Sequence, residues 1–472
     1  MISKIYEKVE IIDAGSEGKA IARIGNLVVF VPFVVPGDVI DIKVVKNKKT
    51  YIEGKAVHFH SYSEKRTEPF CSHFGTCGGC RWQNMKYEDQ LYYKHKQVLD
   101  SFIRIAKIDN PDVLPVLPSE KTTFYRNKLE YTFSNRRWLS SDDIRSEPSQ
   151  KEMNALGFHI PLLFDKILDI DHCYLQQDPS DAIRLEAKKY AIEHHLSFYD
   201  ARNWQGFLRN LIIRTSNSGD LMVIFIFRED EPEVIQPLLH HFKTIFPEIT
   251  SLYYVINPKK NDVISDLPNH LFAGEPFITE KMMAFNSSKE LRFRIGPVSF
   301  FQTNSGQASS LNRIAAEFAG FKGHETVYDL YTGTGTIANY ISGAAKKVIG
   351  IESVGSAVLD AKENSRLNGI RNTYFLNGEA EKILTPEFVE YKGKPDVIIT
   401  DPPRSGMHGK VITAIAACAP EKIVYISCNP ATQARDIGLL NEQYNLEKCQ
   451  PVDMFPHTQH VENIALLLKR ST

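Results

Sequence analysis

Long hydrophobic runs are missing from this sequence. Hydrophobic residues make up 43% of its 472 residues, but no stretch approaches the ~20 consecutive apolar residues of a membrane-spanning helix. We therefore expect no membrane partner. The first residues, MISKIYEK, contain no apolar core of a secretory signal, which favours a cytoplasmic protein. The length suggests about three domains.

The chain also lacks an excess of charge of either sign. Its formal net charge is −1, which does not indicate a strongly basic nucleic-acid-binding protein. Positive charge is nevertheless concentrated locally, since residues 1–66 contain eleven Lys or Arg against eight Asp or Glu. Lys46, Lys48 and Lys49 lie beside Tyr51. A local basic face is therefore compatible with the neutral total.

Cysteine is scarce, and its distribution argues against disulfides. Three of the seven cysteines, Cys71, Cys77 and Cys80, are clustered, which favours a metal site in a reducing compartment. Two glycines between the last pair let the backbone fold closely around one centre. Three thiolates need a fourth ligand for a tetrahedral zinc or an iron–sulfur cubane, and Cys173 is the best distal candidate. The alternatives at this position are His73 and His172. The spacing itself does not choose between zinc and iron–sulfur.

The amino-terminal two thirds divide into two predicted domains. Residues 1–60 contain about five short strands separated by Gly and Pro, which predicts a small barrel, either a structural cap or an oligonucleotide-binding domain. Residues 61–290 predict a mixed α+β central domain with a helix over Tyr87–Ala106 and a loop at 140–151. The helix has an apolar stripe formed by Leu91, Val98, Leu99, Phe102 and Ile103. Cations alternate with aromatics at Arg136, Arg137, Trp138, Arg202, Trp204 and Arg209, which suits RNA contact or a solvated face.

Residues 291–472 repeat one pattern four times. A short β-branched run ends in a polar or small residue, and a turn or helix start follows, which predicts a Rossmann-like α/β domain with a parallel sheet. Ligands of such sheets bind outside the carboxyl ends of the strands. Asp329, Glu352, Asp401 and Cys428 all fall at these ends. A nucleoside-type ligand and a thiol are therefore expected to share one crevice.

The first turns of this domain indicate the ligand class. A Gly-rich turn at 332–336 lets the backbone approach a ligand, and Glu352 ends the next strand, where a carboxylate binds ribose hydroxyls. Glu379 follows a third strand and would reach an adenine edge. This pattern fits NAD as well as S-adenosylmethionine. The D-P-P-R motif at 401–404 holds an acid in a rigid turn and has no evident use in a dehydrogenase.

Two further residues suggest covalent catalysis. Cys428 follows a buried strand and precedes a helix, whose dipole favours a thiolate; the alternative is a small buried hydrophobe. Glu462 begins the final strand and by itself is equally explained as a surface acid. Together they suit methylation at C5 of uracil, because a thiolate adding to C6 activates C5 and a base must then remove the C5 proton.

Over nearly its whole length the chain resembles the RNA uracil-5 methyltransferase family. The motifs that carry the likeness are F-F-Q-T-N at 300–304, D-L-Y-T-G-T-G-T at 329–336, I-E at 351–352, D-P-P-R at 401–404, S-C-N-P at 427–430, H-V-E-N-I at 460–464 and C-S-H-F-G-T-C-G-G-C at 71–80. The chain is most similar to the branch with a TRAM domain and an iron–sulfur cluster, which methylates 23S ribosomal RNA. The Gly-rich turn departs from relatives, which often have Cys or Asn there.

The resemblance implies a cofactor, a metal cluster and an RNA partner. The implied S-adenosylmethionine contacts are Gln302, Tyr331, Glu352, Glu379 and Asp401. Cys428 is implied as the nucleophile and Glu462 as the base. The implied ligands of a [4Fe–4S] cluster are Cys71, Cys77, Cys80 and Cys173. We expect a monomer that acts on 23S ribosomal RNA, with transfer RNA as the alternative substrate. The rival interpretations are an NAD-dependent oxidoreductase and a non-catalytic RNA-binding assembly factor.

Overall fold

The amino-terminal strands form a closed barrel, as predicted. The computed structural model describes residues 4–145 and 152–471. The barrel strands are β1 (Ile5–Ala14), β2 (Lys19–Ile24), β3 (Leu27–Pro32), β4 (Val39–Asn47) and β5 (Tyr51–Ser61). They close in the order β1-β2-β3-β5-β4. Buried residues alternate along the strands, as at Val29 and Val31, because successive side chains of a strand point to opposite faces.

A seven-stranded sheet forms the centre of the middle region. Its strands are β6 (Lys128–Ser134), β7 (Ala155–His159), β8 (Ile167–Asp169), β9 (Leu208–Thr215), β10 (Leu221–Phe227), β11 (Ser251–Ile256) and β12 (Asn269–Gly274). The helices of this region are α1 (Tyr87–Arg104), α2 (Ser141–Arg145), α3 (Ser180–Glu193) and α4 (Pro232–Ile245). The prediction of a loop at 140–151 is wrong for the residues that form α2. Residues 146–151 of the predicted loop lie outside the described part of the chain.

Helix α1 packs on the carboxy-terminal domain, and its buried face differs from the predicted stripe. Val98 and Phe102 are fully buried as expected, but Ile103 is 42% exposed. Gln90 and Lys94 are fully buried instead. The apolar spacing located the helix, but it missed two polar residues on its inner face.

A hairpin and a capped helix lead into the last domain. The hairpin strands are β13 (Ile278–Met283) and β14 (Glu290–Ile295), and the helix is α5 (Ser305–Ala319). Asn304 caps α5, because its side chain accepts a hydrogen bond of 3.2 Å from the backbone N–H of Gln307.

The carboxy-terminal domain is a Rossmann-like sheet with helices on both sides. Its strands are β15 (Thr326–Leu330), β16 (Lys347–Glu352), β17 (Thr373–Asn377), β18 (Val397–Thr400), β19 (Lys422–Ser427), β20 (Tyr444–Val452) and β21 (Glu462–Lys469). Its helices are α6 (Thr336–Ile341), α7 (Gly355–Leu367), α8 (Ala380–Ile383), α9 (Pro386–Lys392), α10 (Gly409–Cys418) and α11 (Pro430–Leu440). The strand order is β17-β16-β15-β18-β19-β21-β20.

The last strands set this sheet apart from a dinucleotide-binding domain. The first five strands are parallel, whereas β21 lies antiparallel between β19 and β20. The common dinucleotide fold has the order 3-2-1-4-5-6, without such an insertion. Across the described ranges, 4–145 and 152–471, no helix is long and apolar enough to cross a membrane.

Candidate active site

The strand ends bring the predicted side chains to one edge of the sheet. Strand β16 ends at Glu352, and Asp401 and Cys428 follow β18 and β19 directly. Strands β15 and β18 are neighbours, and the strand order reverses between them. Such a reversal opens a crevice at the carboxyl edge of a parallel sheet.

A small crevice of about 60 Å³ opens at this edge. Gln302, Tyr331 and Asp401 line it together with the Gly-rich turn at 332–336. Tyr331 has a φ of +62°, in the left-handed region that residues other than glycine seldom adopt. Such backbone strain is concentrated at binding and catalytic sites. Three of the five predicted cofactor contacts therefore share one cavity.

Glu352 is oriented by the Gly-rich turn. Its carboxylate accepts hydrogen bonds from the backbone N–H groups of Gly333 at 3.1 Å and Val354 at 2.8 Å. Gly333 has a φ of +55°, a conformation that glycine adopts without steric cost. The turn thus fixes an acceptor at the end of β16, where ribose hydroxyls bind in folds of this type.

The carboxyl group of Asp329 stabilises the same Gly-rich turn. One oxygen of its carboxyl accepts hydrogen bonds from the Thr332 hydroxyl and the Ala338 N–H, and the other is buried without a protein partner. Burial and the nearby charge of Glu352 raise the pKa of Asp329 to about 7. The pKa of Asp401 is also raised to about 7, by burial and the charge of Asp329. This acidic edge suits a positively charged ligand.

Glu379 lies apart from the crevice. Its side chain is half exposed and forms an ion pair of 2.5 Å with Lys382. It does not belong to the residues that line the cavity beside Asp401. The structure therefore does not bring Glu379 into the cavity that Gln302, Tyr331 and Asp401 share.

Cys428 and Glu462 lie on neighbouring antiparallel strands. Ser427, just before the thiol, pairs in register with Asn463, just after the carboxyl. Burial and then the charge of Asp401 raise the pKa of Glu462 to about 8. Burial, followed by the charge of Glu462, raises the pKa of the Cys428 thiol to about 11. A buried acid with so high a pKa can hold or accept a proton near neutral pH.

Arg404 and His460 complete the site, although sequence reasoning assigned them no role. The Arg404 guanidinium donates to His460 Nδ1 at 2.6 Å. Its positive charge partly counteracts the rise in the pKa of the Cys428 thiol that burial and Glu462 cause. Burial and the Arg404 charge lower the pKa of His460 to about 4, so the imidazole is neutral and can accept this bond. The available signal for Arg404 was its place three residues after the strand-end acid Asp401, in the D-P-P-R motif.

The four predicted cluster cysteines lie around a separate and larger cavity of about 1330 Å³. Burial and then the neighbouring Cys77 and Cys80 raise the pKa of Cys173 to about 12, so the fold brings this distant segment close to the cysteines at 71–80. Within residues 4–145 and 152–471, no group of three or more Cys, His, Asp or Glu is placed to hold a metal ion. The lining cysteines are Cys71, Cys77, Cys80 and Cys173.

The two alternative histidine ligands are engaged elsewhere. His73 Nε2 accepts a hydrogen bond of 2.9 Å from the backbone N–H of Asp171. His172 Nδ1 lies 2.6 Å from the carboxylate of Asp181. Cys173 consequently remains the better fourth candidate.

Comparisons with known proteins identify two family matches. The tRNA (Uracil-5-)-methyltransferase family matches residues 269–471, and the TRAM domain matches residues 6–57. An uncharacterized RNA methyltransferase of Bacteroides thetaiotaomicron is 54% identical over 455 residues, covering 96% of this chain and 99% of the relative. One from Porphyromonas gingivalis is 50% identical over 469 residues, covering 98% and 100%.

One solved structure is similar over the whole chain. It is the Pyrococcus abyssi tRNA (uracil-54, C5)-methyltransferase in complex with S-adenosyl-L-homocysteine. The TM-score is 0.74 at 27% sequence identity, and the match covers 98% of this chain and 100% of that one.

Proposed function

This chain belongs to the RNA uracil-5 methyltransferase family, and from that premise we propose that it methylates C5 of a uridine in 23S ribosomal RNA. The observation that carries the proposal is the placement of Cys428 and Glu462 next to the paired residues Ser427 and Asn463 of two adjacent strands, beside the acidic crevice that contains Asp401. The cysteine segment at 71–80 supports the ribosomal substrate, because it resembles the segment of the branch that methylates 23S ribosomal RNA. The enzyme would act as a monomer in the cytoplasm, where ribosomal RNA resides.

Transfer RNA is the second candidate substrate. The Pyrococcus abyssi enzyme, which matches this chain over 98% of its length, is a tRNA methyltransferase. Both substrates require the same chemistry at C5, so the catalytic residues do not distinguish them. The choice depends on the surfaces of the barrel and the central sheet.

The acidic crevice fits S-adenosylmethionine. When bound, this group supplies an electrophilic methyl on a positively charged sulfur. Glu352 would accept hydrogen bonds from the ribose hydroxyls, while Gln302, Tyr331 and Asp401 would line the remainder of the ligand. The unpartnered oxygen of Asp329 adds negative charge under the turn. Glu379 would have to leave Lys382 to take part.

Side chains of this protein would then form the covalent bond to the uridine and accept its proton. The target uridine must leave its stack to reach a buried thiol. The Cys428 thiol gives its proton to solvent water beside the Arg404 cation, and its sulfur adds to C6, which moves electron density to C5. After C5 has taken the methyl group, the Glu462 carboxylate accepts the C5 proton. The electrons of that C–H bond restore the C5=C6 double bond and expel the thiolate.

Mapping of 5-methyluridine by mass spectrometry tests this function. Cells without the protein should lack 5-methyluridine at a position of 23S ribosomal RNA, and the wild-type gene should restore it. The Cys428→Ala gene should not restore it, because the nucleophile is missing. Loss confined to transfer RNA would establish the second candidate. An unchanged 5-methyluridine content in both RNAs would contradict the proposal.

We further propose that Cys71, Cys77, Cys80 and Cys173 hold a [4Fe–4S] cluster. The support is that all four line one cavity and that burial raises the pKa of Cys80 to about 11 and of Cys173 to about 12. Thiols with such pKa values stay protonated at neutral pH unless a metal stabilises the thiolates. A metal centre would therefore explain why four half-buried thiols line one cavity.

Anaerobic purification tests the cluster. We expect about four iron and four sulfide per chain in the wild type, measured by elemental analysis. Cys173→Ser should lose most of the iron. Cys418→Ser is the matched control, since Cys418 is buried in α10 away from this cavity, and it should retain its iron. Zinc in place of iron, or full iron retention in Cys173→Ser, would contradict the assignment.

A further inference from the structure

We propose that the buried ion pair of Lys94 and Asp453 positions the catalytic hairpin loop, residues 453–461. This loop joins β20 to β21 and ends directly before Glu462. The inference rests on the proposed function, because it assigns Lys94 and Gln90 of α1 as positioning residues for that reaction. Neither residue borders the crevice that contains Asp401.

The ion pair is fully buried and makes further contacts at the start of the loop. Lys94 and Asp453 are each 0% exposed, and Lys94 Nζ lies 2.5 Å from the Asp453 carboxylate. The same ammonium donates to the backbone carbonyl of Phe455 at 3.1 Å, and the Tyr87 hydroxyl donates to Asp453 at 2.8 Å. Removing two charges from water costs free energy that their attraction does not reliably offset. Stability alone therefore explains this pair poorly.

A strained turn lies in the middle of the loop. His457 has a φ of +64° and is 8% exposed. Its backbone N–H donates to the Gln90 side chain at 2.9 Å, and its carbonyl accepts from the N–H groups of Arg81 and Trp82 at 2.9 and 3.0 Å. A left-handed residue with a side chain persists only where its surroundings determine the conformation. Helix α1 and the cysteine segment together supply these surroundings.

Helix α5 holds the same loop from the cofactor side. The Gln307 side chain donates to the Asp453 carbonyl at 2.9 Å, and the Asn304 side chain donates to the Met454 carbonyl at 3.1 Å. Asn304 lies two residues after Gln302, which lines the crevice. The loop is thus fixed between α1 and the cofactor crevice.

The far end of the loop reaches the nucleophile. His460 accepts the hydrogen bond from Arg404 at 2.6 Å, and the Arg404 carbonyl accepts a hydrogen bond of 3.0 Å from the side chain of Asn429, the residue directly after Cys428. A displaced loop would remove the acceptor that orients the guanidinium. The thiol would then lose the cation that favours its ionised form.

The test replaces the pair by apolar residues, Lys94→Met with Asp453→Leu. Buried ion pairs replaced in this way often leave stability unchanged or increased, so the double variant should melt near the wild-type temperature. We expect kcat to fall about 10- to 100-fold, since small misplacements of catalytic groups have effects of this size. The KM for S-adenosylmethionine should change less than about twofold. Lys96→Met, on the same helix but paired with Asp13 and Asp100, is the control and should keep its kcat.

A second measurement, made without RNA, reports the reactivity of the Cys428 thiol. The rate of Cys428 alkylation by iodoacetamide, measured by peptide mass spectrometry, should fall several-fold in the double variant. If that variant does not fold, Gln90→Met removes the other α1 anchor and should give the same two results. A wild-type kcat, or a reduced kcat with an unchanged alkylation rate, would overturn the inference. Neither result would affect the proposed function, which fails separately if wild-type protein forms no 5-methyluridine.

Discussion

Cys428→Ala is expected to eliminate methyl transfer, with a loss of about 10⁴-fold or more in kcat/KM. Without the sulfur, no group is placed to add to C6, and C5 of uracil is too weak a nucleophile to take the methyl unaided. Binding of S-adenosylmethionine should stay within about twofold, because Cys428 does not line the crevice formed by Gln302, Tyr331 and Asp401. Single-turnover transfer of labelled methyl and calorimetric titration measure the two quantities.

Cys449→Ala is the matched control for this substitution. Cys449 lies in β20 of the same sheet and is fully buried, so the change removes a thiol that does not stand at the carboxyl end of a parallel strand. It should lower stability, since a cavity forms in the core, while the folded enzyme keeps its kcat. Multiple turnovers by Cys428→Ala would refute the nucleophile assignment.

The strand ends were predictable because they depend on local pattern. Asp329, Glu352, Asp401 and Cys428 each follow a short β-branched run, and parallel strands place such residues at one edge. The order of the strands was not predictable in the same way. The insertion of β21 between β19 and β20 depends on pairing between distant segments, which no local pattern reveals.

The positioning groups were missed for the same physical reason. Lys94 is fully buried only because its partner, Asp453, lies 359 residues further along the chain. Helical spacing predicts which apolar residues lie on the inner face of α1. It does not predict that a lysine is buried there as well. The contact of Arg404 with His460 likewise depends on the left-handed turn at His457. Residue type identified the chemistry, but long-range packing determines the geometry.

The four cysteines show both what the sequence predicts and what depends on the fold. The three residues at 71–80 were found from their spacing, and the fourth, Cys173, was chosen by chemistry from a distant segment. The fold brings Cys173 to the same cavity as the other three. Whether iron or zinc occupies such a set depends on ligand softness and metal supply as well as on position, so it stays a prediction.

Glu462→Gln is expected to stop the reaction after methylation and to trap the protein on its RNA. The amide is nearly isosteric but cannot accept the C5 proton, so Cys428 cannot leave C6. A covalent protein–RNA adduct should appear on a denaturing gel, and product release should slow by about 10²-fold or more. Glu421→Gln, an exposed exchange in the same domain, is the control and should release product normally. Normal release by Glu462→Gln would remove Glu462 as the base.

The same substitution should change how stability depends on pH. The folded pKa of Glu462, about 8, lies above the ordinary glutamate value of 4.5, so between these values the folded state binds more protons than the unfolded state. The stabilising contribution is therefore complete below about pH 4.5 and is lost as the pH rises through about 8. Asp329 and Asp401, each with a pKa of about 7, act in the same direction. Denaturant unfolding at pH 5 and pH 8 should show a smaller loss in Glu462→Gln than in the wild type, by a few kcal/mol. Equal losses in the two proteins would mean that the pKa of Glu462 is not raised in the folded state, so its carboxylate would be a weaker base for the C5 proton.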